Sequence, residues 1–165
     1  MLTNYDIEKK ATQMDLPIVG VFSKDDMPKQ REVGSYYVNL QNKNDGDGTH
    51  WCLAKIYCDE ELEENKVRVE GDKICRALWF DPFGLDMPKE IRTFLNPFKP
   101  IAYNNRQIQS VATSQCGWYC LYCDYVLENH SKGSTYLETF EKFIASWSKD
   151  PVNNRTLLKE RLKKI

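Results

Sequence analysis

RQIQSVATSQCGWYCLYCDY, Arg106–Tyr125, changes character half-way along. Its first part predicts a short polar strand carrying Gln107 and Gln109, then a small-residue turn over Ala112–Gln115. Its second part opens a helix at Cys116 that stays apolar on nearly every face: Trp118, Tyr119, Cys120, Leu121, Tyr122, Cys123, Val126 and Leu127. Such a helix belongs at the centre of a domain, not on its surface. Cys116 then sits at a buried helix N-terminus, where unpaired N–H groups and the positive end of the macrodipole favour an anion. That setting stabilises a thiolate, which makes Cys116 a candidate nucleophile.

Outward from this helix, the upstream chain is predicted to be mostly strand. Gly34–Leu40 is rich in aromatic and β-branched residues, Cys75–Phe80 continues the run of strands, and Pro17–Phe22 is a short apolar segment. His50–Tyr57 is apolar on both faces and so central in its sheet. Gln41–Thr49, full of Asn, Asp and Gly, predicts a loop. Asp59–Asn65 predicts an acidic turn, with Val67–Val69 continuing the meander. Asp81-Pro82-Phe83-Gly84 stops the last strand, a helix is expected over Met87–Leu95, and Asn96–Asn105 is expected to be irregular. Thr3 predicts the N-cap of a first helix, with Asp6 three residues on. Downstream, Tyr136, Leu137, Phe140, Phe143, Ile144 and Trp147 recur at helical spacing until Pro151, and Leu157, Leu158, Leu162 and Ile165 mark a last helix. Strands in a run, bracketed by helices, argue an α+β domain spanning residues 1–165 with a central mixed sheet.

At 165 residues the chain can bury one sizeable core. A net charge of -1 provides no basic field, so nucleic acid is expected to bind weakly or not at all. No apolar run reaches membrane-spanning length and the first residues lack a signal-peptide pattern, so an interior location is expected, not secretion. In that setting the six cysteines are expected to be reduced thiols.

A cysteine nucleophile needs a base, and the base needs something to orient it. Only two histidines are present. His50 lies where a Gly/Asp-rich loop meets a buried strand, a usual place for a catalytic side chain on a rigid scaffold, whereas His130 follows the end of the central helix. Asp81 would accept the second N–H of His50, and Gln109 would offer an amide donor to the oxyanion formed when Cys116 attacks a carbonyl. Each has a plainer reading: a strand-edge histidine, a turn-starting Asp-Pro, a solvent-facing glutamine.

The order His50-Trp51, Asp81-Pro82-Phe83-Gly84, Gln109 and Cys116-Gly117 resembles the adenovirus-type processing protease and the clan that includes the SUMO- and NEDD8-specific proteases. GTHW, WFDPFG and QSVATSQCGWYC carry the likeness, while GSYYVNLQ and LPIVGVFSKDD are similar to the versions in virophages, giant viruses and related DNA transposons. The resemblance implies a papain-like cysteine protease with Cys116 as nucleophile, His50 as base, Asp81 as orienting carboxylate and Gln109 as oxyanion donor. It implies that Trp51 walls a narrow channel for small or Gly-containing sequences, and that no cofactor or metal is needed. Implied partners are polypeptide substrates, viral capsid precursors above all, with an activating peptide in some relatives, inside the virion or the host cell. Adenovirus enzymes carry Glu where this chain has Asp81; the SUMO proteases carry Asp there. The Gln109–Cys116 spacing, 116 − 109 = 7, equals the adenovirus one; Gln107 and Gln115 are alternative donors. Two rivals stand beside this reading. One is an isopeptidase that removes ubiquitin or SUMO-type modifiers. The other reads Cys116-x-x-x-Cys120-x-x-Cys123 as the [4Fe–4S] ligand triad of a radical-SAM enzyme.

Overall fold

In a computed structural model, residues 1–42, 50–59 and 74–165 are described. Most of the predicted loop over 41–49, the acidic turn beyond Asp59 and the segment Val67–Val69 lie outside the described residues. The chain is α+β: a five-stranded mixed sheet with five α-helices.

Helix α1 (Asn4–Gln13) starts on the Thr3 cap, whose hydroxyl accepts the Asp6 N–H while the Asp6 carboxylate accepts the Thr3 N–H. Strands β1 (Ile18–Ser23), β2 (Gly34–Asn39), β3 (Trp51–Asp59), β4 (Ile74–Phe80) and β5 (Ile101–Tyr103) stand in the sheet in chain order. The outer pairs β1–β2 and β4–β5 are parallel and the inner pairs are antiparallel. Helix α2 (Lys89–Leu95) follows Pro88, α3 (Cys116–Glu128) is the predicted central helix, and α4 (Tyr136–Ala145) and α5 (Pro151–Leu162) end the chain.

Period-two alternation divides the sheet into two faces. Tyr37, Trp51, Leu53, Tyr57, Leu78 and Phe80 join residues of α1, α3, α4 and α5 in one core. Tyr36, Val38, Cys52, Ala54, Ile56, Ala77 and Trp79 meet α2 through Ile91, Phe94 and Leu95 in the other. Helix α2 therefore covers the second face of the sheet.

Several expectations are corrected. Residues 106–110 form no strand, because their backbone N–H groups turn onto the Asp81 loop: Ile108 and Gln109 both donate to the Pro82 carbonyl, at 2.9 and 2.8 Å. The segment expected to be irregular contains β5, whose three residues are too few to show a period. Pro151 starts α5 after the Asp150 cap, a position where its missing N–H costs nothing. Cys58 and Cys75 are joined as a disulfide, against the expectation of six thiols. The β3–β4 register sets them face to face, a juxtaposition that an argument from compartment cannot see.

Neither β3 nor α3 is as apolar as its sequence suggests. Lys55 points from β3 to α3, where its ammonium meets Asp124 at 2.7 Å, Glu128 at 2.5 Å and the Ser35 hydroxyl at 2.9 Å. Ser35 and Tyr37 also donate to Asp124, at 2.8 and 2.7 Å. A buried charge is tolerable only when paired and hydrogen-bonded, and this network satisfies both conditions while pinning α3 to the sheet.

Candidate active site

Three separate parts of the chain bring the candidate residues together. His50 immediately precedes β3, Asp81 immediately follows β4, and Cys116 is the first residue of α3. The β3–β4 ladder sets the first two side by side, and the Lys55–Asp124 network holds the third against β3.

The His50 ring donates Nε2–H to Asp81 Oδ1 at 2.6 Å and stacks on Phe83, with ring centroids 4.3 Å apart and planes 13° from parallel. Nδ1 is buried and makes no hydrogen bond of ordinary geometry. The ring's other interaction is with the Cys116 sulfur, which leaves Nδ1 to meet it. A contact looser than a regular hydrogen bond is common in a catalytic pair with no substrate between its members. Burial pushes the imidazole toward its neutral form, but hydrogen bonds and charges from Asp81 and Cys116 outweigh it. The pKa stands at about 9 against an ordinary 6.5. The charged form of the ring is thus favoured at neutral pH. The Trp51 backbone N–H adds a donor to Cys116 Sγ at 3.3 Å.

Asp81 is fixed from all sides. Its Oδ1 also accepts the Phe83 N–H at 2.8 Å, and its Oδ2 the Leu85 N–H at 3.3 Å. Asn104 grips its backbone at both ends, accepting the Asp81 N–H at 3.0 Å and donating to the Asp81 carbonyl at 2.6 Å. Gly84 adopts φ +67° with its α-carbon against Arg106, where a β-carbon would come within 2.6 Å of the carbonyl. The segment 104–109 is held in turn by the C-terminal helices. The Arg106 guanidinium donates to the Ile144 and Trp147 carbonyls, and buried Asn154 donates to the Ile108 carbonyl at 2.9 Å.

Gln109 is fully buried beside this segment, and its amide N–H groups go to the carbonyl and hydroxyl of Thr113, at 3.0 and 3.1 Å. Gln107 donates to the Gln109 carbonyl at 2.9 Å. Gln115 occupies the N-cap position of α3, and its side chain makes no cap hydrogen bond. The amides of the first turn of α3 are therefore uncapped beside the sulfur, the arrangement in which a helix N-terminus receives an anion. Trp51 lies next to the pair, with its indole 1% exposed and Nε1–H donated to the Leu2 carbonyl at 2.9 Å. His130 is remote, edge-on to Tyr136.

No protein-family model matches the chain, and no curated protein matches its sequence. Among solved structures it is similar to the crystal structure of the selenomethionine ASFV pS273R protease, at 16% sequence identity and a TM-score of 0.46. That match covers 90% of this chain and 68% of the other. A likeness at this level assigns no residue a role.

Cys116, Cys120 and Cys123 do not converge as cluster ligands. The Cys120 thiol donates to the Trp51 carbonyl at 3.4 Å, and among the described residues the one grouping of possible metal ligands is His50, Cys52 and Asp81. Within it, Nε2 and Oδ1 stand 2.6 Å apart and already share a proton, so a tetrahedral ion would have to break the pair. The iron–sulfur reading is set aside.

Sequence reasoning missed Phe83, Asn104 and the Lys55–Asp124 pair. Phe83 lies in the turn that follows Asp81, and nothing local in the sequence marks its ring for stacking on His50. Asn104 sits in a stretch with no periodicity, and nothing in the chain distinguishes it from its neighbour Asn105.

Proposed function

We propose that the chain is a papain-like cysteine endopeptidase. The observation that carries the reading is one imidazole, held by the Asp81 carboxylate through Nε2 and interacting with the sulfur that opens α3. In the proposed reaction Cys116 Sγ attacks the scissile carbonyl carbon, and the developing oxyanion meets the amides at the start of α3. Imidazolium Nδ1–H of His50 protonates the leaving amine, giving a thioester. The neutral ring then takes a proton from water, whose oxygen releases the acid and restores the thiolate. Asp81 keeps Nε2 protonated and the ring in its plane. Gln109 serves as an oxyanion donor if its amide turns from Thr113 toward the sulfur when substrate enters.

The resemblance in the sequence supports the finer reading, maturation cleavage of viral capsid precursors after small or Gly-containing sequences. Incubation with a proteome-derived peptide library, with cut sites read by mass spectrometry, tests both levels. Cleavage that vanishes in Cys116→Ala and persists in Cys120→Ala and Cys123→Ala is expected. Cleavage by Cys116→Ala at the wild-type rate refutes the assignment. Turnover confined to a ubiquitin-type conjugate, with no cut in linear peptides, replaces the endopeptidase with an isopeptidase.

A further inference from the structure

The proposed nucleophile is only 2% exposed, and Trp51 beside it 1%. On the proposed reading Cys116 must meet a polypeptide, and the segment ahead of α1 packs on its neighbours Trp51 and Gly117. Leu2 touches the residues that directly follow both members of the pair. Its carbonyl accepts the Trp51 indole N–H at 2.9 Å, and its side chain lies where a β-carbon on Gly117 would come within 3.0 Å of Leu2 Cδ1. Because Gly117 has no side chain, Leu2 rests directly on the first turn of α3.

This contact has the form of peptide recognition: an extended segment gives a main-chain carbonyl to a fixed side-chain donor and lays an apolar side chain into a notch of backbone. It is also shallow. One hydrogen bond and one side chain hold the segment, Met1 next to it is 63% exposed, and Thr3 closes α1 through its own capping box. The cap of α1 is made by Thr3 and Asp6 alone, so displacing Leu2 leaves it in place.

We infer that the Trp51–Gly117 surface is a docking site for an extended apolar peptide segment, and that Met1–Leu2 of this same chain is its resident occupant, shielding Cys116 until displaced. That the segment competes with substrate rests on the endopeptidase reading; that it shields the sulfur does not.

The test is alkylation of the native full-length protein by iodoacetamide, followed cysteine by cysteine by mass spectrometry, in wild type and Leu2→Gly. Cys116 is expected to react about tenfold faster in Leu2→Gly, with buried Cys52, Cys120 and Cys123 unchanged. A synthetic peptide of residues 1–5 added in trans is expected to slow the reaction again. An unchanged Cys116 rate overturns the inference, and so does a parallel rise at all four cysteines, which reports general loosening. Peptide turnover measured alongside separates the two proposals. Faster alkylation without turnover in either protein removes the endopeptidase reading and leaves the docked segment. Turnover in wild type with no gain of either kind in Leu2→Gly does the reverse.

Discussion

Replacing Asp81 by asparagine removes the negative charge that receives the Nε2–H of His50 at 2.6 Å, while nearly preserving the shape of the side chain. The native imidazole has its pKa raised from 6.5 to about 9. At roughly 1.4 kcal/mol per pH unit, that rise is worth on the order of 3 kcal/mol of preference for the charged ring. The folded value lies above the unfolded one, so this contribution is fully present below pH 6.5 and is lost as pH rises through about 9. With Asp81 neutral, burial still opposes the charge and only Cys116 still favours it. The proton affinity of His50 is expected to fall at least tenfold, about 1.4 kcal/mol. His50 C2–H followed by NMR gives this directly, and the one other histidine, His130, is far from the site. Urea unfolding is expected to weaken between pH 6 and 9.5 in wild type and much less in the variant. The alkaline limb of kcat/KM, near pH 9 in wild type, is expected to move down with the same step. An Asp81→Asn ring that still titrates near 9 refutes the reasoning, as does a wild-type ring that titrates near 6.5.

Asn104→Ala strips two hydrogen bonds from the buried Asp81 backbone, and each orphaned group costs about 1–3 kcal/mol. Denaturant unfolding is expected to show a loss of about 3 kcal/mol and peptide turnover a lower kcat at nearly constant KM; Asn104→Asp, which keeps only the acceptor, falls between. Asp124→Ala leaves the Lys55 ammonium buried with part of its shell, at an expected cost of about 3–5 kcal/mol in thermal or chemical unfolding. Adding Lys55→Met to it is expected to recover part of that loss, and a double variant less stable than the single would contradict the network.

The elements with a strong local code were legible. The Thr3 capping box, the all-round apolar helix from Cys116 and the spacing of Phe140 and Phe143 each specify one local structure, and each is found. What failed depends on partners distant in the chain. Ile108 and Gln109 have strand-like neighbours but spend their N–H groups on Pro82, so no strand forms. The Cys58–Cys75 bridge follows from a register that local composition does not encode. His50 and Asp81 were legible as a pair through chemistry. Asn104, which holds Asp81 in place, carries no signal of its own because its whole role is a contact across 23 residues.

The order of the strands bears on how the candidate site is assembled. Each strand pairs with its neighbour in sequence, so the sheet forms from contacts nearer in the chain than those that dock α3 onto it. Cys116 meets Trp51 across 65 positions, and Asp124 meets Lys55 across 69. A nascent chain that has completed its sheet but not yet docked α3 therefore carries imidazole and carboxylate without a sulfur, and the pairing on which the proposed hydrolysis depends waits for that docking.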